Sequence, residues 1–206
     1  MKALYIILTL AILKSLTPVL NAQDSETQRL RKKYLPTQVN LQYAGNIGMF
    51  SFGPSWNIYG NKAILGITSG FVPKFEAEQP IFITALKAYY TPHFNLEFKN
   101  LTIKPLSAGL AFSYTFGKRF NKYQDPNNYP MGYYWWNPSS RFGLLYQAEV
   151  NTKIESKFIN ALSFYIEASI WDLELYSYFG NYNYFYLKFW DLPTLGAGTK
   201  ILLGSD

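Results

Sequence analysis

The chain holds one histidine and no cysteine in 206 residues, so beyond a single imidazole any chemistry starts from hydroxyls, carboxylates and amines. His93 is followed by Phe94 and Asn95, which leaves no serine two residues on for an imidazole to activate as a nucleophile on the same strand face. Beside Pro92 it reads as a turn residue. The Asp24-Ser25 pair lies at the end of an apolar leader, while Asp125, Asp172 and Glu174 are expected at the end of the molecule opposite His93. These groups do not converge, so no catalytic residue is assigned. A zinc site would need a His/Cys cluster, and Asp172-Leu173-Glu174, a two-residue strand repeat, lacks the glycine-bearing loop that calcium ligands use. Gly196-Ala197-Gly198 does not precede a helix and is no phosphate cradle. Neither metal nor cofactor is assigned.

Two other groups of residues stand out. Lys87, Arg141, Glu149, Lys153 and Glu167 fall on the same side of alternating segments and would pair inside a narrow barrel, filling it. That filling role is preferred to transport or catalysis, and it argues against an open pore. Tyr123, Tyr129, Tyr133, Tyr134, Trp135 and Trp136 are interleaved with Pro126, Pro130 and Pro138. They form either an outward recognition loop for glycan, lipopolysaccharide or a partner protein, or an interfacial aromatic girdle. The girdle is preferred for Trp135 and Trp136, and the loop tip, 124–131, stays open between the two.

The elements that position these residues follow a period of two. Leu162, Phe164, Ile166, Ala168 and Ile170 alternate with Ser163, Tyr165, Glu167 and Ser169, and a strand puts the two sets on opposite faces. The same holds for Leu106, Ala108, Leu110, Phe112, Tyr114 and Phe116 against Ser107, Gly109, Ala111, Ser113 and Thr115. Eight strands are predicted: one follows the Gly45-Asn46 turn and runs to Tyr59, with Pro54 marking a bulge, and the others begin near Thr37, Ala63, Ile81, Leu106, Arg141, Ala161 and Thr194, with Lys87 inward on the fourth. The outer connections are Gly45-Asn46, 73–80, 117–140 and 179–184; the inner ones include 60–62 and 154–158. The segment 92–100 is long for an inner turn, so a ten-strand count is the alternative.

Lys2, an apolar run from Leu4 to Leu13 and the ending Leu20-Asn21-Ala22 predict a cleaved signal peptide over 1–22, a lead-in over 23–36, a barrel over 37–203 and an overhang over 204–206. Lys14 interrupts the apolar run before it reaches the roughly 20 residues a spanning helix needs. Loss of Lys2 and Lys14 takes the formal charge from +6 to +4, a mild excess compatible with anionic head groups and without a nucleic-acid motif. With 18 Tyr, 16 Phe and 5 Trp the chain has the aromatics that membrane interfaces favour, and a closed barrel is the non-helical way to satisfy every backbone group in lipid.

The whole is an all-β, transmembrane, antiparallel up-and-down barrel in expectation. In this respect, and in the segments from Gln42 to Gly48 and from Tyr129 to Trp136, the chain resembles the small outer-membrane barrels of Gram-negative bacteria, and its Tyr-, Asn- and Lys-rich style is similar to exported proteins of the Bacteroidota. Its end, with Gly196, Gly198, Ile201 and Leu203, resembles the signal read by the barrel-assembly machinery, although Gly196 stands at the polar position and Gly204-Ser205-Asp206 follows. The resemblance implies this fold and outer-membrane localisation and transfers little function; the expected partners are outer-membrane lipid and lipopolysaccharide, the barrel-assembly machinery during insertion and an envelope protein. Barrels that deacylate lipid A carry a His-x-Ser pair, and barrels that palmitoylate it carry a histidine with an Asp-Ser pair in an outer loop; neither pattern transfers to this chain. The expected function is a non-enzymatic binding or envelope-structural role through the outer loops. A lipid A or phospholipid modifying barrel and a soluble exported barrel with an apolar ligand are the alternatives.

Overall fold

Where alternation is strict the chain forms strands, and the strands close on themselves. The computed structural model describes residues 35–59, 62–92, 94–117, 120, 139–154, 156 and 158–204. The expected signal peptide, His93, Asp125 and the aromatic loop from Tyr123 to Trp136 lie outside the described residues, as do Asp24 and Ser25. The chain divides into an amino-terminal unit, Met1–Leu35, and a second unit, Pro36–Asp206, which carries the sheet.

The elements are β1 (Gln38–Ala44), β2 (Phe50–Ile58), β3 (Ala63–Val72), β4 (Ile81–Tyr90), β5 (Leu96–Phe98), β6 (Leu101–Phe116), β7 (Ser140–Lys153), β8 (Ile159–Trp171), α1 (Asp172–Gly180) and β9 (Thr194–Leu203). Each long strand pairs antiparallel with its neighbour in the order β4-β3-β2-β1-β9-β8-β7-β6, and the β4–β6 pairing completes the ring. This is a closed eight-stranded up-and-down barrel, which settles the strand count at eight. We call the end holding Gln38 and Leu203 the lower end. Segment 92–100 is not a plain turn: its middle forms β5, which pairs with the lowest residues of β6, Leu96 opposite Ile103. That extra hairpin accounts for the length of the connection.

Two local expectations are corrected. Pro54 causes no shift of register, since Val39 stands opposite Pro54 in one ladder and the β2–β3 ladder keeps one register from Phe52 to Ser55. The shift occurs instead on β6, between Lys104 opposite Glu149 and Ser107 opposite Gln147, so that Pro105 and Leu106 share one partner position. Proline has no N–H to give the ladder, and a bulge is where that is tolerated. The freed Pro105 carbonyl accepts the Tyr146 hydroxyl at 2.7 Å.

Asp172-Leu173-Glu174, expected as a strand repeat, instead opens α1. β9 begins at Thr194, opposite Ser169. A strand prolonged beyond Trp171 would lack a partner on that side, and a helix satisfies its backbone internally. The two carboxylates lie in the first helical turn, where they oppose the positive end of the macrodipole.

Burial is inverted relative to a water-soluble barrel. The inward positions include Ser51, Ser55, Thr68, Lys87, Ser107, Gln147, Ser163, Glu167 and Lys200, all buried, whereas Leu41, Phe52, Ile67, Leu110, Leu144 and Ile166 are exposed on the outer wall. Near the upper end, Tyr43, Phe50, Phe71, Phe82 and Phe116 stand side by side in register across five strands. Tyr43 and Phe50 rings lie 5.5 Å apart and Phe71 and Phe82 rings 5.0 Å apart, within the range of favourable aromatic pairs. Among the described residues no helix is long and apolar enough to cross a membrane.

Candidate functional site

Inward side chains of six strands meet in the lumen. On β8, Glu167 accepts from the Lys87 ammonium of β4 at 2.8 and 2.9 Å, from the Gln42 amide of β1 at 3.2 Å and from the Tyr89 hydroxyl. Lys87 also donates to the Gln42 carbonyl oxygen at 3.0 Å, and the Tyr165 hydroxyl donates to the same oxygen at 3.1 Å. On β7, Glu149 accepts from Lys104 at 2.9 Å, from Asn151 at 3.1 Å and from Lys200 of β9. Lys200 further donates to Gln147 and lies 5.1 Å from the centre of the Tyr165 ring. All four carboxylate oxygens therefore have donors, which is the condition for keeping charge inside a protein.

Of the five residues expected in this constellation, Lys87, Glu149 and Glu167 are buried there. Lys153 is not part of it: it has the inward parity but lies at the lower end of β7, where its side chain is exposed. Arg141 is half-buried at the other end of β7, where its charge faces Asp172. Burial pushes the Asp172 carboxyl above the ordinary aspartate range, and the Arg141 guanidinium draws it back. Instead of Lys153 and Arg141, the network is completed by Lys104 and Lys200, with Gln42, Tyr89, Gln147, Asn151 and Tyr165 as neutral partners.

Small residues make room for this filling. A Cβ on Gly198 would lie 2.4 Å from the Leu41 carbonyl oxygen and 2.6 Å from the Tyr165 hydroxyl; one on Gly109 would meet the Tyr89 ring at 2.8 Å. Large and small inward residues thus alternate between neighbouring strands. Gly198→Val is expected to destabilise the barrel by about 1–3 kcal/mol, read from urea unfolding. Removing the Tyr165 hydroxyl in the same chain will not restore stability, because the nearer clash is with backbone.

A cavity bounded by Gln42, Lys87, Tyr89, Tyr165, Glu167 and Lys200 holds about 10 Å³, room for about one water. Toward the upper end, Ile47 from the β1–β2 turn and Trp171 from the last position of β8 join Ala85, Ala111 and Leu145 in an apolar cluster. The lumen is therefore occupied by a polar network and by an apolar plug; parity placed Ala111 inward, while Ile47 and Trp171 lie outside the predicted alternating runs. Ile47 lies in a turn, outside any alternating run, and carries no signal of its inward course. Among the described residues no three carboxylates, histidines or cysteines group in a way that could hold a metal ion.

The fold and the site together define a closed eight-stranded antiparallel barrel with a charge-paired interior. Comparison with known family models, curated proteins and solved structures yields no match to this chain.

Proposed function

We propose that the chain is an outer-membrane barrel of a Gram-negative envelope, closed to ions and acting as a binding or structural protein through the segments at its upper end. The observation that carries this reading is the inversion of burial: lysines and glutamates inside, Leu, Ile and Phe exposed around the outer wall. In water such a wall would be driven to aggregate, whereas in lipid it is the stable arrangement. An aromatic row at the upper ends of the strands supports the same placement, since Tyr and Phe there would lie at the head-group level. The filled lumen supports closure. The alternating last strand supports insertion by the barrel-assembly machinery.

The test is expression in a Gram-negative host followed by separation of the two membranes. The expected result is a mature chain starting at Gln23, found in the outer-membrane fraction, released by detergent and without conductance in a planar lipid bilayer. Recovery of the chain in the soluble periplasmic fraction overturns the membrane reading, and steps of ionic current overturn the closed lumen.

A further inference from the structure

The outer wall is not the only apolar surface this chain exposes. Between β8 and β9 the chain runs through α1 and two short 3-10 turns, Asn183–Phe185 and Phe189–Asp191. α1 exposes Leu173, Tyr176 and Phe179, spaced three apart and so on one face of the helix. The turns that follow expose Phe185 at 74%, Tyr186 at 88% and Trp190 at 72%. So many large apolar side chains exposed in one short segment are rare on a protein face that meets only water.

The surface is also held in shape. The Tyr178 ring lies 4.9 Å from Phe179, 6.2 Å from Tyr184 and 6.0 Å from Phe189, centre to centre, so one ring joins the helix to both turns. Asn183 donates to Ser177 at 3.0 Å, and Asp191 accepts the Lys188 backbone N–H at 3.2 Å. Those two polar side chains, which a sugar ligand would use, are engaged within the segment. Rings and methylenes make up most of what faces outward, beside Asn181, Lys188, Asp191 and the tyrosine hydroxyls.

Its height on the barrel is fixed by register. α1 starts directly after Trp171, which stands opposite Gly143, the neighbour of Phe142. The Phe142 ring packs on Phe112 at 5.1 Å, four residues below Phe116 on β6. α1 packs against β7 and β8, so the segment leaves the wall at the upper end of those two strands. Lys188 holds its ammonium 5.7 Å from the Trp190 ring centre, which puts a cation at the margin of the aromatic surface, in position to reach phosphate while its stem stays on the ring.

From these observations we infer that residues 172–191 form a peripheral membrane element that lies in the boundary between head groups and acyl chains of the leaflet at the upper end. Tyr, Trp and Phe with a flanking lysine are the residue types that this boundary selects. The element would bind lipid laterally, outside the closed lumen, and give the barrel a second contact with the leaflet beyond its wall. This inference rests on the membrane reading of the wall.

The test uses the absence of native cysteine. Three full-length variants, Tyr186→Cys, Leu110→Cys and Phe75→Cys, carry an environment-sensitive fluorophore and are refolded into phosphatidylcholine vesicles. Some vesicles contain a nitroxide lipid labelled near the glycerol end of the acyl chain, and iodide serves as the aqueous quencher. Phe75 lies among Lys74, Glu76 and Glu78 in the β3–β4 connection at the same end and reports water access. The expected result is a Tyr186 label several-fold less quenched by iodide than the Phe75 label, and more strongly quenched by the shallow nitroxide than the Leu110 label. A Leu110 label open to iodide shows that the wall itself is not in lipid, and the membrane reading falls with it. A Leu110 label in lipid with a Tyr186 label open to iodide overturns this inference alone. So does a Tyr186 label protected from both quenchers, because that is packing against protein.

Discussion

Glu149→Ala is expected to lower the unfolding free energy of the barrel by about 3–5 kcal/mol, the cost of leaving a buried cation without its partner. Glu149 is held between Lys200, whose side chain is 4% exposed, and Lys104, whose side chain is 27% exposed. The two lysines differ in what they can do once the carboxylate is gone. Lys104 can turn its ammonium toward solvent at the lower end, while Lys200 is enclosed by Gln147, Tyr165 and the wall. Lys104→Ala should therefore cost only about 0–1 kcal/mol, as partly exposed pairs do. Replacing both members of the enclosed pair, Glu149→Leu with Lys200→Met, should recover most of the loss, because an apolar pair of similar volume needs no counter-ion. Urea unfolding of the barrel in vesicles measures all three. Equal, small effects in the three variants would mean that the pair is reached by water and contributes nothing beyond surface charge.

Leu110→Arg is expected to cost about 2–4 kcal/mol in a bilayer, provided Leu110 faces hydrocarbon near the midplane. Leu110 is 63% exposed on the outer face of β6. The same substitution on a surface that meets water falls within about 0.5 kcal/mol of neutral. The magnitude thus decides what solvent the wall sees. Phe75→Arg, in a connection outside the strands, is the comparison and should be near neutral. Ser107→Arg and Ser113→Arg would not serve, because both serines are buried in the lumen and an arginine there overfills a packed interior. A Leu110→Arg barrel as stable in vesicles as the unchanged chain would place the outer wall in water.

Much of this architecture can be read from parity alone, and the places where it cannot share one cause. On β8 the alternation is unbroken, and Ser163, Tyr165, Glu167 and Ser169 are all buried while Phe164 and Ile166 are exposed. On β6 the bulge at Pro105 resets the count. Parity carried down from Leu106 puts Lys104 on the outer face, although it stands opposite Glu149 and points inward. Lys153 fails differently: its parity is right, but parity says nothing of depth, and the residue lies below the rim. Lys200 alternates with Leu195, Ala197 and Thr199 on the last strand, so its inward course was legible, but its partner Glu149 is on β7, two strands away. Alternation gives faces; it does not give the stagger that decides which inward residues meet. The helix after Trp171 was hidden for a related reason, since four residues of polar-apolar alternation fit a strand until the neighbouring strand runs out.

The lumen network joins parts of the chain that are far apart in sequence, with Gln42 bonded to Glu167 across 125 positions and Lys87 to Glu167 across 80. Lys200, a counter-ion of Glu149, arrives only with the final strand. During assembly a sheet that has formed β7 and β8 but not β9 carries a carboxylate short of one cation, and one that has not closed onto β1 leaves Glu167 without Gln42. The network is thus complete only when first and last strands meet. A partly built sheet gains little from its interior, and completion of the ring is rewarded all at once, which makes closure a cooperative event and makes late truncations far more damaging than their length suggests.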